Sequence, residues 1–168
     1  MARNIEIKAR VADLAAARTI VAALGARPHV VEEQTDRYYA LDGGRRLKLR
    51  SVAGAGAELI DYARPESDGV RASDYTRTPV RDGGGCAVPE GAPLVVVRKR
   101  REVLLLDNVR VHLDTVDGLG TFLELEAVVD AVHDDAVCRA QVARLMAALG
   151  LGEAELIRAS YAELARAQ

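Results

Sequence analysis

The first clear pattern of polar and apolar positions in the chain runs from residue 4 to residue 11. Polar and apolar side chains alternate along this segment, and successive side chains of a strand point to opposite faces. The segment therefore predicts a strand with one apolar face and one ionic face. The ionic face carries Asn4, Glu6, Lys8 and Arg10.

Two later segments repeat the alternation with charges of opposite sign: residues 46–50 carry cations and residues 122–126 carry carboxylates. A single ionic face is usually the solvent-facing side of a two-layer sheet. Three such strands favour a closed barrel with helices outside, whose inward charges must be paired, hydrated or bound to a ligand. A cavity with many cations and a few clustered carboxylates suits a polyphosphate that carries a divalent metal.

The first half of the chain predicts one helix followed by several strands. Apolar residues at helical spacing predict a helix over residues 12–24, and Gly25 is a natural stop. Glycine-containing turns then separate three predicted strands. These strands cover residues 30–41, 45–52 and 57–64.

Less regular sequence follows and divides the chain. Residues 65–80 are predicted to form a loop with an edge strand, and residues 81–93 a flexible linker rich in glycine. The linker lacks both the strand-to-helix context and the lysine of a P-loop, so we do not interpret it as a phosphate cradle. We expect a single domain over residues 1–168, with two halves at roughly 1–81 and 94–168.

The second half predicts further strands and then helices. Asp134 or Asp135 caps a helix that Gly150 ends, and a last helix is predicted over residues 153–165. Each half thus consists of strands and helix, which indicates a weak internal duplication. The predicted strands cover residues 94–106, 109–116 and 121–129.

The composition fits one globular domain. Of the 168 residues, 49% are hydrophobic, which is enough for a core, and the net charge of -2 gives no general attraction to nucleic acid or membranes. No segment has the apolar length of a transmembrane helix or a signal peptide, which predicts a cytoplasmic protein. Cys86 and Cys138 lie far apart in sequence and outside any Cys-x-x-Cys pair, so we expect neither zinc nor a disulfide.

A series of short motifs extends over almost the whole chain. The motifs are Glu6-x-Lys8, residues 46–50, Tyr62-Ala63-Arg64-Pro65, Lys99-Arg100-Arg101, Leu113-Asp114, residues 118–126 and Ser160-Tyr161. In this order and spacing they resemble the CYTH superfamily, or triphosphate tunnel metalloenzymes, and within it the class IV adenylate cyclases. The resemblance implies an α+β fold, a closed antiparallel β-barrel of about eight strands with helices packed outside.

The resemblance also implies a divalent metal, Mg²⁺ or Mn²⁺. Its ligands, by position, are Glu6, Glu124 and Glu126, and carboxylate oxygens suit hard cations. In a competing interpretation, Glu124 and Glu126 only pair with tunnel cations. One position departs from the family pattern Glu-x-Glu-x-Lys, because Asn4 occupies the place of the first glutamate. The asparagine carbonyl can still bind metal, but the lost charge is expected to weaken one metal site.

Cations in the tunnel are implied by the resemblance to bind the triphosphate, as arginine forks and lysine ammonium groups do. Alternation does not decide which residues of segment 98–101 point inward, and the resemblance alone selects Lys99 with Arg101. Solvated surface is the alternative for Lys48, Arg50 and Arg64, and loop stabilisation is the alternative for Arg71. The predicted substrate-binding residues are Lys8, Arg10, Arg46, Lys48, Arg50, Arg64, Arg71, Lys99 and Arg101.

Asp114 aligns with a family aspartate on the strand before the Gly-Leu-Gly turn. The resemblance implies that it binds metal through water or orients a phosphate-binding cation, and the alternative is an ordinary residue before a turn. His112 shares its face, but an isolated histidine is more often incidental, so we leave it out of the catalytic set. The predicted catalytic residues are Glu6, Lys8, Asp114, Glu124 and Glu126.

The predicted activity is metal-dependent phosphoryl chemistry on a triphosphate. Attack of the ribose 3′-hydroxyl on the α-phosphorus of ATP gives cyclic AMP and pyrophosphate, the class IV adenylate cyclase reaction. Attack of water on the γ-phosphorus instead defines a triphosphatase of inorganic triphosphate, thiamine triphosphate or a nucleotide. A third hypothesis is a nucleotide- or polyphosphate-binding protein without turnover. The expected partner is the triphosphate, with no nucleic acid and no membrane, and the chain is a monomer or a homodimer.

Overall fold

A computed structural model of the chain describes residues 2–42, 45–63, 69–80 and 89–168. Over these residues eight antiparallel strands close into a barrel that helices accompany, which confirms the predicted α+β fold. The helices are α1 (Leu14–Ala23), α2 (Asp135–Ala148) and α3 (Tyr161–Arg166). The strands are β1 (Ala2–Arg10), β2 (Arg27–Asp42), β3 (Arg45–Val52), β4 (Gly56–Ala63), β5 (Arg71–Val80), β6 (Val95–Leu106), β7 (Val109–Val116) and β8 (Gly120–Val128).

The first strand closes the barrel. The strand order is β1-β5-β4-β3-β2-β6-β7-β8, and β1 pairs with β5 on one side and with β8 on the other. The strand predicted within residues 65–80 is present as β5, but its prediction as an edge strand is wrong, because β5 pairs with both β1 and β4. Its closure against β1 is a long-range contact that alternation in the sequence does not reveal.

Apolar side chains point out of the barrel and lie under the helices. Ile7, Val111 and Leu125, from three neighbouring strands, pack with Val21 of α1 and Leu145 of α2 in one buried cluster. Small barrels more often fill their interior with such side chains. Here the helices cover the apolar faces instead, so the interior is available to polar groups.

An aspartate caps the start of each of the two longer helices, and the sequence indicated the cap of α2 only. The Asp13 carboxylate accepts a hydrogen bond from the backbone N–H of Ala16, and the Asp134 carboxylate accepts one from Val137, each at 2.9 Å. Such side chains satisfy backbone donors that have no partner within the helix. Asp134 is thus the cap of α2, and Asp135 is its first residue.

The helix predicted over residues 153–165 is wrong in its first part. Glu153–Glu155 form only a short 3₁₀ turn, and α3 begins at Tyr161 after Ser160. Between them Leu156 forms an antiparallel bridge with Ala9, and the backbone N–H of Ile157 donates to the carbonyl of Lys8 at 2.7 Å. These contacts with β1 hold the backbone in an extended conformation that a helix cannot adopt.

Several predictions fall outside the described residues. They concern Arg64, the loop up to residue 68, and residues 81–88 of the linker, which include Cys86. Cys138 is described, and it is a free cysteine on the buried face of α2. The division into two halves stays a prediction. In the described ranges, no helix has the length and apolar character needed to cross a membrane.

Replacing Leu104 by alanine tests the outer core. Leu104 on β6 is fully buried in the cluster under the helices, so Leu104→Ala should lower the free energy of unfolding by about 2–5 kcal/mol in urea denaturation. The matched control is Leu94→Ala, because Leu94 is 57% exposed and its truncation should change stability by less than about 0.5 kcal/mol. Equal losses in both variants would contradict the assignment of the core.

Candidate active site

The polar faces of the strands line a cavity of about 330 Å³ inside the barrel. Alternation places the side chains: on β1 and β8 the inward-facing residues are separated by apolar residues that face the helices. On β6, Lys99 and Arg101 face inward and the exposed Arg100 lies between them. Among the ionisable residues that line the cavity are Glu6, Lys8, Lys48, Arg50, Lys99, Arg101, Arg110, His112, Glu124 and Glu126.

One wall of the cavity carries a cluster of His112, Glu124 and Glu126. One potential ligand atom of each residue lies within 4.8 Å of the others, which is close enough to hold a metal ion. The register of β1 with β8 sets Glu6 directly opposite Glu126, and Lys8 opposite Glu124. The three glutamates predicted as metal ligands therefore line adjacent strands of one wall.

Cations hold Glu124 in its ionised form. The Nζ of Lys8 lies 3.1 Å from Oε1 of Glu124, and Nη2 of Arg101 lies 2.5 Å from Oε2. Burial opposes ionisation, but the charges of Lys8 and Arg101 outweigh it and hold the pKa of Glu124 well below its usual range. The carboxylate is thus negative at neutral pH and available to a cation.

A second charged group surrounds Asp36, which is 1% exposed. Its carboxylate accepts hydrogen bonds from Nζ of Lys48 at 2.8 Å and from Nε and Nη2 of Arg50 at 2.7 and 2.8 Å. The Nζ of Lys99 lies 3.4 Å away. Burial alone would raise the pKa of Asp36, yet the charges of Arg50, Lys48 and Lys99 hold it well below its usual range.

The lysines beside Asp36 titrate near neutral pH. Burial and the charge of Arg50 lower the pKa of Lys48 to about 7, although Asp36 acts in the opposite direction. Burial and the charge of Arg101 lower the pKa of Lys99 to about 8. One carboxylate does not neutralise the three cations around it, so this part of the cavity favours a bound anion.

Asp114 lies behind Arg101 and is not among the described residues that line the cavity. Its two oxygens accept hydrogen bonds from Nε and Nη2 of Arg101 at 2.7 and 2.5 Å. The hydroxyl of Tyr161 donates to the same carboxylate at 2.8 Å. The centroid of the Tyr161 ring also lies 4.0 Å from Nζ of Lys8 and 5.0 Å from Nζ of Lys99, so α3 contributes a side chain to the site.

The structure does not bring every predicted substrate-binding residue to the cavity. Arg10, at the end of β1, donates to the carbonyl of Leu119 at 2.6 Å and stacks on Phe122. Arg46 forms an ion pair with Glu163 of α3. Arg71 is buried behind the wall, where its Nε lies 3.3 Å from Oε1 of Glu6. In each case a neighbour that sequence alternation cannot identify determines where the guanidinium points.

Other cavity residues were not selected from the sequence. Gln34, Asp36 and Tyr38 alternate along β2, and Arg110 and His112 alternate along β7, with the periodicity that identified the other strands. Tyr38 and Gln34 line the cavity directly. The same pattern could therefore have indicated them, but alternation on its own gives an inward face no functional role.

Known proteins share this sequence pattern and fold. The CYTH domain family matches residues 2–161 of the chain. The adenylate cyclase CyaB of Aeromonas hydrophila is 28% identical over 96% of this chain and 87% of that protein. A Methanocaldococcus jannaschii protein named "Putative adenylate cyclase MJ0240" is 32% identical, but the match spans only 40% of this chain and 39% of that protein. The solved structure of the PH1012 protein of Pyrococcus horikoshii superposes with a TM-score of 0.76 at 25% identity, covering 96% of this chain and 98% of that one.

Binding of a polyanion should transfer a proton to the protein. At pH 8 most of Lys48 is neutral, because its pKa is about 7, and an anion beside it favours the charged form. Metal-free ATP should therefore bind with uptake of at least about one proton at pH 8, mostly by Lys48 and in part by Lys99, and with clearly less uptake at pH 6, and its affinity should fall as pH rises. Calorimetry in buffers of different ionisation enthalpy measures this uptake.

The matched control for this measurement is Lys48→Arg, which keeps the positive charge but does not titrate in this range. It should bind ATP at pH 8 with clearly less proton uptake than the natural chain. Undiminished uptake in this variant would show that another group supplies the effect.

Proposed function

The chain belongs to the CYTH domain family, and from this premise we propose that it is a metal-dependent enzyme that converts ATP into cyclic AMP and pyrophosphate. The observation that carries the proposal is the separation of charge inside the barrel. In the order of the described strands, β3 and β8 are separated by three strands in either direction, so they form opposite walls. Lys48 on one wall therefore faces Glu124 on the other.

The cationic wall suits the triphosphate. Lys48 and Arg50 of β3 and Lys99 of β6 together exceed the charge of Asp36, and phosphate oxygens can take up the excess. Asp36 fixes the side chains before a ligand arrives, which lowers the entropy lost on binding. The cations also stabilise the charge that develops on the leaving pyrophosphate.

Arg101 joins the two walls. Asp114 holds its guanidinium by two hydrogen bonds, and Tyr161 in turn holds Asp114. We assign Asp114 as a positioning residue, because its contacts orient Arg101 rather than reach the cavity. A guanidinium fixed in this way can bind one phosphate in a defined orientation.

The carboxylate wall suits a divalent cation. Glu6, Glu124 and Glu126 supply the oxygen ligands that Mg²⁺ and Mn²⁺ prefer, and the buried Oδ1 of Asn4 has no hydrogen-bond partner among the described residues. When bound, such an ion neutralises phosphate charge and polarises the phosphorus–oxygen bonds. Lys8, at 3.1 Å from Glu124, holds this carboxylate in place from the other side.

In the proposed reaction the ribose 3′-oxygen attacks the α-phosphorus, and the bond from that phosphorus to the bridging oxygen of the β-phosphate breaks. The hydroxyl proton is released and pyrophosphate leaves. The relative from Aeromonas hydrophila, named an adenylate cyclase, supports this reaction over attack by water on the γ-phosphorus. The same cations and carboxylates would serve a triphosphatase, so product analysis decides between the two.

Product analysis of the purified protein tests the proposal. With ATP and Mg²⁺ or Mn²⁺, phosphorus NMR should detect cyclic AMP and pyrophosphate. Release of orthophosphate from ATP, inorganic triphosphate or thiamine triphosphate would identify a triphosphatase instead. Thermal stabilisation by ATP without any product would identify a binding protein, because a ligand of the native state raises apparent stability.

Glu124→Gln separates binding from turnover. The variant keeps the size of the side chain but removes its charge, so turnover should fall by about a hundredfold or more. ATP should still raise the melting temperature, because the opposite wall is intact. Glu33→Gln is the control, since Glu33 is 64% exposed and should be neutral. Full turnover by Glu124→Gln would overturn the metal assignment.

A further inference from the structure

His112 is a buried side chain that the proposed reaction does not use. It lies on the inward face of β7, opposite Glu124 in the β7–β8 register, and its side chain is only 6% exposed. Its Nδ1 is buried and meets no hydrogen-bond partner among the described residues. Buried polar atoms in folded proteins nearly always have a partner, so this nitrogen is suited to a ligand that the chain itself does not supply.

The unpartnered nitrogen points at the carboxylate cluster. Nδ1 of His112 lies 3.5 Å from Oε2 of Glu124 and 3.8 Å from Oε1 of Glu126. Two ligands of one first-row metal, each at about 2.0–2.2 Å from the ion, lie about 3–4 Å apart. The distances from Nδ1 of His112 to the two carboxylate oxygens are therefore those expected between ligands of the same ion.

The ion pairs of the two glutamates are compatible with such an ion. Arg110 binds the other oxygen of Glu126, Oε2, at 3.2 Å, which leaves Oε1 on the side of His112. Arg101 binds Oε2 of Glu124 at 2.5 Å, and a carboxylate oxygen has a second lone pair for a metal. For the imidazole, the carboxylates recorded near Nδ1 in the described part of the chain are those of Glu124 and Glu126.

We propose that His112 is a nitrogen ligand of the metal held by Glu124 and Glu126, and that the site therefore prefers a first-row transition metal such as Mn²⁺ to Mg²⁺. The inference rests on the proposed function for the presence of a metal. Imidazole binds transition metals well and Mg²⁺ poorly, whereas carboxylates suit both. Asn4 acts in the same direction, since it lacks the anionic oxygen that a hard cation would favour.

Binding of the metal alone tests the proposal. Without nucleotide, Mn²⁺ bound to the natural chain should show ¹⁴N coupling in pulsed EPR. In His112→Gln this coupling should disappear and Mn²⁺ affinity should fall at least about tenfold, with Mg²⁺ affinity changed less than about twofold. His29→Gln is the matched control, because His29 also lines the cavity but is not part of the cluster, and it should keep both coupling and affinity.

The outcomes separate this proposal from the proposed function. Bound Mn²⁺ without ¹⁴N coupling in the natural chain would overturn the assignment of His112, even if ATP is turned over. Coupling that depends on His112 would support the ligand, even if no product forms and the cyclase proposal fails. Asn4→Glu provides a second variant that leaves His112 intact. The added carboxylate should raise Mg²⁺ affinity by about tenfold. An unchanged preference for Mn²⁺ over Mg²⁺ would contradict the argument that ligand type sets the metal preference.

Discussion

The carboxylate of Asp36 is the interaction on which the inside of the barrel depends. A charge removed from water is destabilising unless it is paired, and Lys48, Arg50 and Lys99 all point into one closed space. Asp36 makes that arrangement possible by bonding to Lys48 and Arg50 directly. Because one carboxylate does not neutralise three cations, this part of the interior keeps positive charge and favours an anion. Stability and binding thus depend on the same carboxylate.

The polar interior in turn requires an unusual placement of the core. If charged side chains face inward along every second position, the apolar residues between them must face outward and need a cover. Helices α1 and α2 supply that cover over β1, β7 and β8, where Ile7, Val111 and Leu125 are buried. Neither α1 nor α2 contributes a residue to the described lining of the cavity. They allow the strands to present charges inside.

The periodicity of the sequence was sufficient to predict most of the strands and the charged interior, because alternation is a local property. Contacts between distant segments were not predictable in this way. The double pairing of β5, the extended segment at Leu156 and the turn of Arg46 toward Glu163 all depend on partners far away in sequence. His112 shows the limit most clearly, since its role depends on which residues face it. The resemblance supplied the inward direction of Lys99 and Arg101, which alternation left undecided.

The closing of the barrel by its first strand has a consequence for how the protein is made. Glu6 is paired with Glu126, and the carbonyl of Lys8 accepts a hydrogen bond from Ile157. During translation Glu6 therefore leaves the ribosome long before Glu124 and Glu126 have been synthesised. Until then β1 has no β8 to pair with and carries an exposed strand edge, which is a template for aggregation. A chain that ends before residue 124 lacks Glu124 and Glu126 and cannot contain the carboxylate wall.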